Sequence, residues 1–86
     1  MIDMLEAKLK HIIAYVVEKK PCDIDFRDKL LEIGCEDKKK SERLVDQLLF
    51  EFEEYCLSED ELYKALTVSD IYQTVSRKSR RYRRRR

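Results

Sequence analysis

Residues that interrupt regular structure are scarce in this chain, which has one glycine, Gly34, and one proline, Pro21, in 86 residues. An all-β domain needs frequent turns, and turns depend on Gly, Pro and similar residues. Charged side chains make up 43% of the chain and apolar ones another 43%, a mixture that suits amphipathic helices with one solvated face. The sequence therefore predicts a single small all-α domain.

Apolar residues recur at helical spacing in three stretches. The first predicts a helix over residues 3–19, the second a helix over about 41–56, and the third a last helix that fades at about Arg77. A short helix is expected between the second and third. The prediction is a four-helix bundle of three main helices and one short helix, with a long first loop.

Polar residues mark where these helices begin and end. Ser41 is predicted to be the N-cap of the second main helix. Ser58 and Thr67 each have an acidic residue three positions later, the spacing of a capping box. In the long first loop, Asp25 is positioned to cap a short helical turn that stops at Gly34, and the polar residues 35–40 are expected to be non-helical.

One shared interior is expected to hold apolar side chains from all three main helices. Its predicted members are Ile12, Ile13, Val16, Val45, Leu49, Phe52, Ile71 and Val75.

The net charge of +1 hides a strong asymmetry. Residues 1–76 hold 11 Lys and Arg against 18 Asp and Glu, a net charge of −7, whereas residues 77–86 carry eight cationic side chains. We expect an acidic domain over 1–76 and a basic, disordered tail over 77–86. The tail is predicted to contact polyanions, either nucleic acid or an anionic surface. Its predicted contact residues are Arg80, Arg81, Arg83, Arg84, Arg85 and Arg86.

No constellation of residues in the sequence predicts catalysis or metal binding, so the chain is not expected to be an enzyme. The three cysteines and His11 lack the spacing of a zinc site. Asp3 and Glu6 stand where a secretory segment would need apolar residues, which predicts a cytoplasmic protein with free thiols. No apolar run is long enough to span a membrane.

One set of motifs resembles the acyl carrier protein family. In that family a serine at the start of the second helix is followed by Val-Glu, then by Glu-Glu-Phe at the helix end, and Thr-Val-x-Asp opens the last helix. The matching residues here are Ser41, Val45-Asp46, Glu53-Glu54-Tyr55 and Thr67–Asp70. The order of helices and the acidic body are similar too, over about residues 2–77.

The resemblance implies a carrier that performs no chemistry itself. By position, Ser41 is where a phosphopantetheinyl transferase would attach 4′-phosphopantetheine, whose thiol holds an acyl group for acyl-transfer enzymes. The resemblance further implies that Asp46, Glu51, Glu53 and Glu54 form the face that basic partner enzymes bind. The chain is expected to be a monomer.

The residues beside the serine depart from the family. The usual triplet is Asp-Ser-Leu, whereas this chain has Lys40-Ser41-Glu42. Modification is preferred because a serine stands at the matched position. The alternative is an unmodified helical interaction module of the same fold, with a basic tail that docks to polyanions.

Overall fold

The computed structural model describes residues 4–34 and 37–84, and the side chains through Arg81. Within those ranges the chain forms five α-helices and two short 3₁₀ turns. The helices are α1 (Met4–Val17), α2 (Leu30–Ile33), α3 (Lys38–Glu51), α4 (Glu59–Lys64) and α5 (Val68–Arg84), and the 3₁₀ turns are Pro21–Asp23 and Glu53–Tyr55. The only β pairing among these residues is an isolated bridge between Lys29 and Thr67. The all-α prediction is confirmed, and the short helical turn predicted before Gly34 is present as α2, which makes five helices instead of the four counted.

The second main helix begins earlier than predicted. Asp37 is the N-cap of α3, and its carboxylate accepts a hydrogen bond of 2.9 Å from the amide of Lys39. The prediction that Ser41 caps this helix is wrong, and so is the loop predicted over 37–40; residues 35 and 36 lie outside the described chain. Asp caps a helix as well as Ser does, and lysine is a good helix former, so residues 38–40 extend the helix.

The last helix ends later than predicted. α5 continues to Arg84, so the expected end at Arg77 and the disordered segment from 77 are wrong for residues 77–84. Arg and Lys have high helix propensity, and cations near a helix C-terminus interact favourably with its dipole. Ser79 is buried, and Arg77 and Lys78 both contact Glu61 of α4, so this part of α5 packs on the domain.

A single interior joins the helices. Of the predicted core residues, Ile12, Ile13, Val16, Val45, Phe52, Ile71 and Val75 are buried in it. Leu49 is the exception: it is only partly buried, and its neighbour Leu48 is completely buried. The helical register of α3 therefore points Leu44, Val45 and Leu48 at the centre of the domain.

Backbone hydrogen bonds tie the loop after α1 to the start of α5. The amide of Leu30 donates to the carbonyl of Leu66 at 2.9 Å, and the amide of Val68 donates to the carbonyl of Asp28 at 3.1 Å. α2 then ends at Gly34, as predicted, with φ +126°, a conformation that side chains disfavour. These contacts hold α2 beside the segment that links α4 to α5. The predicted cap at Asp25 is wrong: the N-cap of α2 is Lys29, and the Asp25 carboxylate instead accepts a hydrogen bond from the amide of Arg27 in the preceding turn.

Candidate functional site

An apolar cavity of about 140 Å³ lies among α2, α3, α4 and the start of α5. It is lined by Leu30, Leu31, Ser41, Leu44, Val45, Leu48, Leu62, Tyr63, Ala65, Leu66 and Ile71. Apart from Ser41 and Tyr63, every lining residue is apolar. Leu31, Tyr63 and Leu66 are also 61%, 49% and 69% exposed, so the cavity reaches the protein surface among them. Exposed apolar side chains grouped around a cavity are typical of a ligand or partner site.

Ser41 brings a hydroxyl group to this apolar cavity. It is the fourth residue of α3, and its amide donates to the carbonyl of Asp37 at 3.0 Å. Val45 and Leu48 follow it at positions four and seven residues later, on the same side of the helix. The helix therefore directs Ser41 toward the same cavity as the buried residues of α3.

The hydroxyl of Ser41 is accessible. Within the described chain, no side-chain hydrogen bond engages Ser41, and no polar side-chain atom there is both buried and without a partner. Since Ser41 is only partly buried, its Oγ keeps contact with solvent. An accessible hydroxyl at the edge of an apolar cavity can accept a covalent group that then extends into the cavity.

Three cations precede the serine in the first turn of α3. Lys38, Lys39 and Lys40 occupy the first three helical positions, and the turn contains no acidic residue. The positive end of a helix dipole disfavours cations there. The carboxylate of the N-cap Asp37 offsets part of this charge, and an anionic group attached to Ser41 would offset more of it.

Acidic residues surround Tyr63, which lies at the edge of the cavity. Partial burial raises the pKa of the Tyr63 hydroxyl above its usual 10.0, and the carboxylates of Glu42, Glu59 and Asp46 add to the increase. We call Glu42, Asp46, Glu59 and Tyr63 the acidic face. It joins the solvent side of α3 to α4.

The four residues predicted to bind partners do not all belong to this face. Asp46 does. Glu51 points toward α1 instead, where its carboxylate lies 3.8 Å from Lys8 Nζ and its carbonyl accepts a hydrogen bond from the same group at 3.3 Å. Glu53 and Glu54 are exposed on the 3₁₀ turn after α3. Glu42 and Glu59 were not predicted, although Glu42 and Asp46 have the i, i+4 spacing of neighbours on one helix face.

The predicted polyanion-binding arginines are only partly described. Arg80 and Arg81 are exposed on α5. The backbones of Arg83 and Arg84 continue the helix, while their side chains and the whole of Arg85 and Arg86 lie outside the described structure.

Other types of site are not found in the described chain. No three His, Cys, Asp or Glu side chains in residues 4–34 and 37–84 are grouped as metal ligands would be. No helix in these ranges has the length and apolar character needed to cross a bilayer. Cys22 and Cys56 are exposed free thiols, and Cys35 lies outside the described residues. Comparison with protein-family models, curated proteins and solved structures found no match to this chain.

Proposed function

We propose that this chain is an acyl carrier-like protein that presents an acyl group on a 4′-phosphopantetheine arm attached to Ser41. The observation that carries the proposal is the position of Ser41, the one aliphatic hydroxyl among the residues that line a cavity whose other walls, apart from Tyr63, are apolar. An arm attached to its Oγ starts at solvent, where a partner enzyme can reach the thioester. The cavity beside it offers apolar surface on which an acyl chain avoids water.

The charges around Ser41 suit such an attachment. A phosphodiester on Oγ adds one negative charge to the first turn of α3. That charge interacts favourably with the helix dipole and with Lys38, Lys39 and Lys40. Lys40, which departs from the family's aspartate, thereby stabilises the modified form.

The size of the cavity limits what it can shelter. An engineered apolar cavity of about 150 Å³ binds benzene, a six-carbon ring. At about 140 Å³, the cavity beside Ser41 holds a group of similar size. The carried group is therefore a short acyl chain, or the end of a longer one.

Partner enzymes would dock on the acidic face, next to the base of the arm. Glu42, Asp46 and Glu59 form a negative rim around Tyr63, and Leu66 adds exposed apolar surface nearby. A partner with basic residues around an apolar contact is complementary to this surface. Charge complementarity of this kind speeds association more than it strengthens binding, which suits a carrier that visits several enzymes.

One observation favours the alternative function, an unmodified interaction module. Ser41 lies inside the first turn of α3 instead of at its start, between Lys40 and Glu42. A transferase that binds an acidic and an apolar neighbour would reject this site. The domain would then use the acidic face and the basic residues of α5 only as docking surfaces.

The two functions are separated by the intact mass of the protein. The chain is co-expressed with several phosphopantetheinyl transferases and weighed. A gain of one phosphopantetheine group supports the carrier function. If no gain occurs, the double variant K40D/E42L shows whether the residues around the serine prevented recognition, and an unmodified mass for both proteins favours the interaction module.

A further inference from the structure

The C-terminal part of α5 presents cations that the domain itself does not neutralise. We call residues 77–84 the basic end of α5. Arg77 lies 3.1 Å and Lys78 3.9 Å from the carboxylate of Glu61, so these two cations share one acid. Among the described residues, no ion pair includes Arg80 or Arg81, and both are exposed. A helix holds these two charges in fixed positions relative to the domain, unlike a disordered tail.

The acidic face is equally without an internal partner. Within the described chain, none of the ion pairs includes Glu42, Asp46 or Glu59. Glu42 and Asp46 are exposed one helical turn apart on α3, and Ser41, the residue before Glu42, lines the same cavity as Tyr63 of α4. The face therefore groups exposed carboxylates around an aromatic ring, next to the lysines 38–40 that begin α3.

Helix α4 separates the two charged surfaces within one molecule. Glu61 of α4 pairs with Arg77 and Lys78 on the α5 side, whereas Tyr63 of the same helix lies beside the carboxylates of α3. Residues two apart on a helix point about 200° apart. The basic end of α5 thus lies on the other side of α4 from the acidic face.

We propose that the basic end of α5 in one molecule docks on the acidic face of a second copy of this chain. Arg80 and Arg81 would pair with Glu42 and Asp46, which lie one helical turn, about 6 Å, apart along α3. The guanidinium groups also stack well on an aromatic ring, and Tyr63 lies among the carboxylates. Exposed Leu66 would be covered by the aliphatic parts of the arginines.

Charge favours a second copy over a nucleic acid as the occupant. Residues 1–76 carry a net charge of −7, so a long polyanion that followed the basic end toward the domain would be repelled. A second copy presents only a short cluster of carboxylates, which ends before it would reach the acidic surface of the first molecule. The whole chain has a net charge of only +1, so two copies approach each other without long-range repulsion.

Such docking is head to tail. Each molecule offers one basic end and one acidic face, so the contact is heterologous and forms rings or short chains of molecules. The contact would also cover Ser41, since Glu42 is its neighbour and Tyr63 lines the same cavity. Self-association would replace the predicted monomer at low salt and compete with any partner of the acidic face. Because an anionic arm on Ser41 would lie within this contact, the inference is made for the unmodified chain.

Sedimentation velocity of the full chain, freed of nucleic acid by nuclease and a high-salt wash, tests the proposal. The screening length falls from about 30 Å at 0.01 M salt to about 3 Å at 1 M. We expect concentration-dependent association near the lower salt concentration and a monomer near the higher one. A monomer at both, or association only when nucleic acid is added back, overturns the proposal. Because this comparison uses the unaltered chain, it does not depend on the folding of any variant.

Charge reversal then locates the contact. R80E/R81E and E42K/D46K should each weaken self-association by about tenfold or more, while K19E/K20E, which changes the net charge by as much as R80E/R81E but at two other exposed cations, should not. A mixture of R80E/R81E and E42K/D46K restores opposite charges between the two surfaces. It should therefore associate more tightly than either variant alone. The proposed contact is wrong if the mixture associates no more tightly than each variant alone. It is also wrong if K19E/K20E weakens self-association as much as R80E/R81E does.

Discussion

Thr67 and Asp70 cap the start of α5 reciprocally. The amide of Asp70 donates to Thr67 Oγ1 at 3.2 Å, and the amide of Thr67 donates to Asp70 Oδ2 at 3.2 Å. The same carboxylate oxygen accepts a hydrogen bond of 3.0 Å from the amide of Leu66. Because Leu66 lines the cavity and its carbonyl binds the amide of Leu30, this cap also fixes one wall of the candidate site.

Loss of the Asp70 carboxylate should therefore destabilise the domain. Asp70→Ala leaves the amides of Leu66 and Thr67 without their acceptor, and we expect the free energy of unfolding to fall by about 1–2 kcal/mol. Asp70→Asn keeps one acceptor oxygen and should retain most of the stability. Urea denaturation measures both. Equal stability of the alanine variant and the unaltered protein would show that the cap contributes nothing.

The register of α3 gives a second prediction. Leu48 is completely buried, Leu49 is partly buried and Phe50 is 68% exposed. Leu48→Ala should lower the free energy of unfolding by about 2–5 kcal/mol. Leu49→Ala should lower it less, and Phe50→Ala by about 0.5 kcal/mol or less. Denaturation curves of the three variants give the order, and a larger effect at Leu49 than at Leu48 would mean that α3 is turned the other way.

The sequence predicted the long helices and most of the core because apolar periodicity extends over several turns. It also predicted the stop at Gly34 and the box formed by Thr67 and Asp70. At Ser58 the N-cap position was correct, but its side chain makes no capping hydrogen bond. Sequence spacing identifies residues that are able to cap a helix, but it does not determine whether the capping hydrogen bond forms.

The start of α3, the end of α5 and the cavity were not predicted. Each depends either on a choice between two equally good capping residues or on contacts between parts of the chain that are distant in sequence. Asp37 and Ser41 are both good caps, and spacing alone does not choose between them. The extension of α5 past Arg77 depends partly on Glu61, which is far away in sequence. That Ser41 lies near the start of the second main helix could be predicted, but its place inside the first turn could not. The cavity could not be predicted either, because its walls come from four helices.

The extension of α5 can be tested by truncation after Ser76. Removal of the helical residues 77–84 should reduce the circular dichroism of the protein by more than loss of an unstructured segment would. It also removes buried Ser79 and the two contacts to Glu61, so we expect a loss of about 1 kcal/mol, or a few degrees in Tm. Glu61→Gln in the full chain removes the ion pairs alone and should have a smaller effect. Unchanged stability together with an unchanged total helical signal, so that the ellipticity per residue rises on truncation, would restore the disordered-tail prediction.

The acidic face can be tested through Tyr63. Its pKa is raised by partial burial and by Glu42, Glu59 and Asp46, so E42Q/D46N should lower it toward 10.0. The folded protein binds this proton more tightly than the unfolded chain, so Tyr63's contribution to stability is complete below about pH 10 and is lost as pH rises through the raised pKa. Ultraviolet titration, with Tyr63→Phe to isolate this residue, measures the shift. A shift equal in E53Q/E54Q and E42Q/D46N would contradict the assigned face.

The carrier function stands on one covalent bond at one residue, so the most direct measurement is mass-spectrometric mapping of the attached group. The unaltered chain, Ser41→Ala and Ser69→Ala are each co-expressed with a phosphopantetheinyl transferase, digested and fragmented. We predict phosphopantetheine on the peptide that contains Ser41 in the unaltered chain and in Ser69→Ala, and none on folded Ser41→Ala. An unmodified Ser41 peptide in the unaltered chain with every transferase tested, or the group on another residue, would contradict the central claim.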